Sequence, residues 1–97
     1  MTKHDHEFAR LHLIVTGRVQ GVFFRHATLE TARTLALTGW VRNSPNGRQV
    51  EIVAEGRVSA LKAMEAWSHD GPPGARVAHV AAQWSQFSGE FKAFSSD

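Results

Sequence analysis

The apolar residues of this chain change their spacing repeatedly, from every second residue to every third or fourth and back. Alternation over residues 10–16 predicts a strand with one strongly apolar face, ending at Gly17. Helical spacing follows over residues 24–35, and we expect Gly39 to stop this helix of about four turns. The first part of the chain is therefore predicted to be a strand followed by a helix.

The middle of the chain predicts a hairpin and a second helix. Residues 40–42 and 49–55 have strand character, and residues 43–47, Asn-Ser-Pro-Asn-Gly, suit the connection of an antiparallel pair. In the second of these strands alternate residues should face the core and the others should face solvent, and Val53 is an apolar exception on the solvent-exposed face. Helical spacing returns over residues 58–68, and Gly71-Pro72-Pro73-Gly74 closes that helix.

The last part of the chain predicts a strand over residues 76–84, with Val80, Ala82 and Trp84 on one face, and a short final strand over residues 90–94. The order is then βαββαβ plus a terminal strand. It matches an α+β sandwich of the ferredoxin-like type, in which an antiparallel sheet carries two helices on one face. Because this architecture serves enzymes, metal-binding domains and RNA-binding domains alike, the fold does not decide the function.

Length and composition limit the alternatives. A chain of 97 residues with 42% hydrophobic residues suits one domain, expected over residues 8–94 with tails at 1–7 and 95–97. The lack of cysteine excludes a disulfide scaffold, a cysteine zinc site and a thiol nucleophile. The net charge of +2 comes from scattered basic residues, which argues against a nucleic-acid surface. The charged start and the absence of long apolar runs favour a cytoplasmic protein without a membrane span.

The segment from Gly17 to Arg25 is a candidate anion site. It lies between a strand and a helix, where free backbone N–H groups and the positive end of the helix dipole coincide. Gly17 and Gly21 allow successive N–H groups to point inward, and Arg25 can add a bidentate contact to a phosphate or carboxylate. The alternative is a tight turn with a solvated arginine. The spacing matches neither a Walker loop nor a dinucleotide fingerprint.

Asn43 is a second candidate, because its side chain carries an acceptor and two donors and could hold a water. The alternative is that it only forms the turn before Ser44-Pro45-Asn46-Gly47. Taken together, Gly17 to Arg25 and Gly39 to Asn43 closely resemble the two signature stretches of the acylphosphatase family. Weaker similarity continues to Gly89-Glu90-Phe91, so that the resemblance covers nearly the whole chain after the first few residues.

The resemblance implies hydrolysis of small acyl phosphates to a carboxylate and inorganic phosphate, without a metal, a cofactor or a covalent intermediate. Arg25 corresponds to the phosphate-binding arginine, and Asn43 to the residue that positions the attacking water. The phosphate-binding loop matches Gly17, Arg18, Val19, Gln20, Gly21 and Val22.

One departure from the family concerns the hairpin. The chain has one residue more than the usual spacing between Gly47 and the Val50-Glu51 pair. We expect a bulge or a longer turn that keeps Val50 and Ile52 facing the core. A slipped register would instead misdirect Asn43.

Other residues are interpreted more simply. His26 is expected to be an exposed helix residue, since this chemistry needs no imidazole. His4, Asp5 and His6 lack further ligands at fixed spacing, so no physiological metal site is expected there. The aromatic residues Phe24, Trp40, Trp67, Trp84 and Phe91 are expected in the core. Arg18, Arg42 and Arg48 either gather near the site and attract an anionic substrate or are ordinary solvated charges.

The rival interpretation is a non-catalytic ferredoxin-like module that binds an anion, a phosphorylated ligand or RNA in the same loop. The aromatic RNA-recognition signature is missing from both central strand candidates. A protein that only binds an anion would also have no obvious need for Asn43 at this position. The expectation is therefore a monomeric enzyme with a small-molecule substrate and no nucleic-acid or membrane partner.

Overall fold

A computed structural model describes residues 7–97, which form one five-stranded sheet and two helices. The elements are β1 (Phe8–Arg18), α1 (Phe24–Thr34), β2 (Thr38–Asn43), β3 (Gln49–Arg57), α2 (Val58–Asp70), β4 (Arg76–Gln86) and β5 (Phe94–Ser96). The strand order is β4-β1-β3-β2-β5, with β5 parallel to β2 and the other pairs antiparallel. This is the predicted ferredoxin-like arrangement. No helix of the described chain is long and apolar enough to cross a membrane.

The central strand β1 carries the middle of the core. Leu11, Leu13 and Val15 are fully buried, as the alternation predicts. The strand does not end at Gly17, however, but runs on to Arg18 through a register shift against β4 between Thr16 and Gly17. A side chain at Gly17 would overlap the backbone of β4, so the glycine permits close strand approach rather than terminating the strand.

The first helix is shorter than predicted, with 11 residues, or about three turns. It ends at Thr34 because Ala36 takes a left-handed conformation with φ of 57°. Gly39, expected as the stop, instead lies inside β2, where a side chain would overlap the carbonyl group of Val53 on β3. Its φ of 135° and this close contact both require glycine.

The hairpin of β2 and β3 keeps the predicted register. Residues 44–48 connect the strands, Asn43 pairs with Val50, and Val50 and Ile52 are both fully buried. The extra residue is accommodated by a longer turn in which the Arg48 N–H donates to Asn46 Oδ1 at 2.9 Å. The register therefore does not slip.

Both helices pack on one face of the sheet. Phe24, Thr28 and Ala32 of α1 and Leu61 and Met64 of α2 are buried there. The ring of Phe24 packs against Trp67 with a centroid separation of 5.4 Å.

The Gly71 to Gly74 turn ends α2 at Asp70, in agreement with the prediction. A side chain on Gly71 would approach the Phe24 ring to 2.5 Å, so the turn packs directly on the start of α1.

The other sheet face is open except where residues 87–91 fold over it. Val53 and Glu55 lie on this face, yet they are only 5% and 1% exposed, contrary to the expected wet surface. Glu55 accepts hydrogen bonds from the Ser88 and Gly89 backbone N–H groups at 2.9 and 3.0 Å and from the Ser88 hydroxyl at 2.7 Å. The sequence pattern gives no sign of this cover.

Two predictions about the last strands are wrong. Trp84 is 39% exposed because β4 is an edge strand whose outer flank is open, although its partner Leu11 is fully buried. Of the five aromatic residues expected in the core, Phe24 is buried in full and Trp67 packs against the core cluster, whereas Trp40 and Phe91 are partly buried outside it. The last strand is Phe94–Ser96 rather than residues 90–94, which places Ser95 and Ser96 in the sheet instead of in a tail.

Candidate active site

The end of β1 and the turn that follows it contain three unusual backbone conformations. Gly17 and Gly21 have φ of 143° and 75°, and Phe23, directly before the helix, has φ of 60°. Val19 is fully buried and fixes the turn to the core. No side chain among residues 7–97 caps the start of α1, so within this part of the chain the first N–H groups of the helix have no side-chain acceptor. The turn therefore offers N–H donors at the positive end of a helix.

The side chain of Gln20 connects this turn to the hairpin. Its Nε2 donates to the backbone carbonyl oxygens of Ser44 and Gln49, both at 2.9 Å. A second link runs from Gln49 Nε2 to Thr16 Oγ1 at 3.1 Å. Because Asn43 directly precedes Ser44, these bonds fix the end of β2 relative to the turn.

A cavity of about 440 Å³ lies between the turn, the hairpin and the end of β5. Its lining residues are Val19, Gly21, Phe23, Phe24, Arg25, His26, Leu29, Asn43, Ser96 and Asp97. The structure thus brings Arg25 and Asn43 together with two residues of the predicted loop. The other loop residues, Gly17, Arg18, Gln20 and Val22, do not line the cavity. Their substrate-binding roles stay predictions, as do those of Arg25 and Asn43.

Sequence reasoning missed the part of the cavity that comes from the last residues. The guanidinium of Arg25 donates to the main-chain oxygen of Asp97. The Asp97 N–H in turn donates to the Val41 carbonyl oxygen at 3.0 Å, extending the pairing of β5 with β2. A three-residue strand gives no periodic signal, so Ser96 and Asp97 could not have been found by spacing.

The three arginines that were considered with the site do not line the cavity. Arg18, Arg42 and Arg48 are all exposed, and none of them lines the cavity. Arg42 points to the open sheet face, away from Asn43, because successive residues of a strand face opposite sides. There it lies 4.6 Å from the centre of the Trp40 ring and forms an ion pair with Glu51 at 2.9 Å.

Glu51 also contacts His12, at 2.6 Å, on the same open face. Burial alone would raise the pKa of Glu51, but hydrogen bonds with His12 and Arg42 and their charges lower it below its ordinary value. Of the two alternatives for these arginines, gathering at the site does not hold for Arg42, which forms an ion pair with Glu51 on the other side of the sheet.

The histidines offer no metal site in the described chain. His26 lines the cavity but is 68% exposed and pairs with Glu30 one turn along α1, at 2.5 Å. Residues 7–97 contain no group of three or more histidine, aspartate or glutamate side chains placed to hold a metal ion. His4, Asp5 and His6 lie outside the described residues.

Fold and cavity together define a small ferredoxin-like α+β domain with a candidate site at a strand-to-helix turn. The acylphosphatase family model matches residues 11–96. Acylphosphatases from Pyrobaculum aerophilum and Marinobacter nauticus are 47% and 55% identical, over 91% and 88% of this chain and 93% and 91% of theirs. The solved acylphosphatase structures from Coxiella burnetii and Bacillus subtilis are also similar. Their TM-scores are 0.88 and 0.87 at 34% and 35% identity, covering 100% and 92% of this chain and 100% and 98% of theirs.

The chain therefore belongs to the acylphosphatase family. Its activity is hydrolysis of the carboxyl-phosphate bond of small acyl phosphates to a carboxylate and inorganic phosphate. The rival interpretation as a non-catalytic binding module is not needed.

Proposed function

We propose that the turn from Gly17 to Val22 and Arg25 bind the phosphoryl group of the substrate, and that Asn43 positions the attacking water. The observation that carries this proposal is the common cavity, which is lined by Arg25, Asn43 and the turn residues Val19 and Gly21. Backbone N–H donors at the start of α1 and a permanently charged guanidinium together favour a dianionic group there.

The reaction needs few further catalytic groups from the protein. Water attacks phosphorus, the bond between phosphorus and the acyl oxygen breaks, and its electron pair leaves on the carboxylate. A carboxylate of low pKa is a good leaving group and needs no acid to protonate it. A loose phosphoryl transition state needs only a weak base, and a phosphoryl oxygen can accept the proton of the water. Positioning of the water and neutralisation of the phosphoryl oxygens are then the main contributions of the site.

The contact between Arg25 and Asp97 fits this role. A guanidinium has five N–H donors, so a hydrogen bond to the Asp97 main-chain oxygen leaves others for a phosphoryl group. This oxygen belongs to the residue after β5, whose N–H donates to the Val41 carbonyl oxygen of β2, so it offers the arginine a fixed partner. Asn43 lies at the end of β2, the strand with which β5 pairs, so both proposed residues are positioned by neighbouring strands.

The test measures benzoyl phosphate hydrolysis, with a chelator present, in Arg25→Ala and Asn43→Ala. Arg25→Ala should lower kcat/KM by about a hundredfold or more and weaken inhibition by inorganic phosphate. Asn43→Ala should lower kcat by a similar factor while inhibition by phosphate changes little.

Arg42→Ala is the matched control, because it removes the same charge from the opposite sheet face. It should retain wild-type kcat/KM. Wild-type turnover in Asn43→Ala would show that another group positions the water, and a pH–rate profile with an essential enzyme base would contradict the proton transfer to phosphate.

We also propose that the protein acts as a monomer in the cytoplasm, without a nucleic-acid partner. In support of this location, a charged acyl phosphate does not pass through lipid, so an enzyme that hydrolyses it has to share a compartment with the source of its substrate. Sedimentation at micromolar concentration should give the mass of one chain. The fluorescence anisotropy of a labelled single-stranded RNA should not change when the protein is added. A dimer in sedimentation, or saturable binding to the RNA, would contradict this proposal.

A further inference from the structure

Phe23 occupies a conformation that its side chain disfavours. It precedes α1 with φ of 60° and ψ of 25°, in the left-handed region that glycine or asparagine adopts more readily than an aromatic residue. Its backbone carbonyl accepts the Ala27 N–H at 3.0 Å and so begins the helix. Glycine could supply the same backbone without strain. The phenylalanine side chain is therefore not what the turn requires.

The ring of Phe23 also contributes little to the folded core. It is 82% exposed, whereas the next residue, Phe24, is 2% exposed and packs on Trp67. Within residues 7–97, Phe23 is absent from the core cluster, and its ring makes no stacking or cation–π contact. A strained, solvent-exposed aromatic residue at the edge of a cavity suggests a role in ligand contact.

The cavity has a polar part and an apolar part. Arg25 and Asn43 supply polar groups, while Phe23 and the partly buried Leu29 supply apolar side chains on the α1 side. An acyl phosphate has the same division, with a dianionic phosphoryl group at one end and an acyl group at the other. Once the phosphoryl group lies at the turn, the acyl group has to lie along another wall of the same cavity.

We propose that Phe23 and Leu29 form an acyl-group subsite that favours aromatic and larger apolar acyl phosphates over acetyl phosphate. This inference rests on the proposed binding of the phosphoryl group beside Arg25. The ring of Phe23 provides a flat face for an aryl group, and Leu29 extends the apolar surface along the helix. A two-carbon acetyl group is too short to cover either side chain.

The decisive variant is Phe23→Gly, because glycine accepts the φ of 60° and should leave the turn folded. The measurement is kcat/KM for benzoyl phosphate and for acetyl phosphate, with inhibition by inorganic phosphate as a readout of the phosphoryl site. We expect the benzoyl to acetyl ratio to fall about tenfold, as for loss of one large apolar contact. Leu29→Ala should lower the ratio by a smaller factor, and Phe23→Tyr should retain it.

Phe87→Ala is the matched control. Its ring is 42% exposed but lies against Phe8, away from the cavity, so the ratio should stay at the wild-type value. If Phe23→Gly lowers both activities equally, Phe23 only shapes the turn and the subsite is wrong. Wild-type activity of Phe23→Gly toward both substrates would likewise overturn the subsite.

Failure of the underlying proposal looks different. If Arg25→Ala retained acetyl phosphate hydrolysis and inhibition by phosphate, the phosphoryl site itself would be misplaced. The acyl subsite would then be overturned with it, whatever Phe23→Gly shows.

Discussion

Replacing Glu55 by alanine removes the carboxylate that holds residues 87–91 against the open face of the sheet. The variant loses three hydrogen bonds from Ser88 and Gly89 and the 3.4 Å contact with Arg10, while Arg10 keeps Glu90 as a partner. Hydrogen bonds to a charged group contribute about 1.5–3 kcal/mol each, but the exposed donors at Ser88 and Gly89 regain water when the segment detaches. We therefore expect a loss of about 3 kcal/mol in the free energy of unfolding.

Urea unfolding followed by tryptophan fluorescence measures this loss, with the slope of the transition unchanged. A domain of this size loses about 4–8 °C in Tm for each kcal/mol, so the midpoint of thermal unfolding should fall by roughly 12–24 °C. Glu65→Ala on α2 is the control, because that side chain is partly exposed and its loss should cost less than about 0.5 kcal/mol. A loss below about 1 kcal/mol in Glu55→Ala, typical of a surface ion pair, would refute the reasoning.

The pH dependence of stability gives an independent check. Burial would raise the pKa of Glu55, but hydrogen bonds from Ser88 and Gly89 and the charge of Arg10 lower it below the usual 4.5. Such a carboxylate stabilises the fold above its ordinary pKa, and the contribution disappears as the pH falls through the lowered value. Glu55→Gln keeps the size but cannot ionise. Its stability should fall less steeply with acidification than that of the wild type, and parallel curves would contradict the assignment.

Two further changes test how the backbone positions the site. Gly39→Ala should destabilise the protein by about 3 kcal/mol or more, since the new methyl group overlaps the Val53 carbonyl group at a positive φ. A circular dichroism melt within a few degrees of wild type would show that β2 and β3 can separate at low cost. Gln20→Ala removes two hydrogen bonds between the turn and the hairpin and should lower stability by about 2 kcal/mol and kcat by about tenfold. Wild-type kcat in that variant would show that Asn43 keeps its position without Gln20.

Patterns that depend on neighbours along the chain could be predicted, and patterns that depend on distant partners could not. The alternation of Leu11, Leu13 and Val15 predicts a buried strand face, because each residue lies opposite the same helix layer. The expectation for Gly39 as a helix stop is wrong for the opposite reason. Its requirement for glycine comes from Val53, and a glycine shortly after a helix also fits a helix stop.

The open face shows the same limit. Glu55 alternates with core residues and so predicts a wet position, yet residues 87–91 come back over it from more than thirty positions away, as the Ser88 and Gly89 bonds record. For Trp84 the error is the reverse, since a residue expected to be buried is partly exposed. It lies on the predicted apolar face of its strand, but that strand lies at the edge of the sheet. Strand order is a property of the whole sheet and is not contained in the period of one strand.

For the site, local motifs predicted the turn, Arg25 and Asn43, which do share one cavity. The residues missed there are those from β5 and the wall formed by Phe23 and Leu29. The local motifs contain the charged and amide groups that the chemistry needs, whereas the cavity wall depends on which surfaces the fold leaves open.

The short strand β5 has a consequence for how the enzyme is made. Arg25 lies 72 positions before its partner Asp97, and β5 can pair with β2 only when residues 87–93 have crossed from the edge formed by β4 to the edge formed by β2. A chain synthesised only up to Gly89 contains every residue of the core cluster except Phe94, yet it lacks the Asp97 oxygen that contacts Arg25. Domains generally fold as units. The contact that holds the Arg25 guanidinium therefore forms only when β5 has been made, after nearly all of the residues of the hydrophobic core.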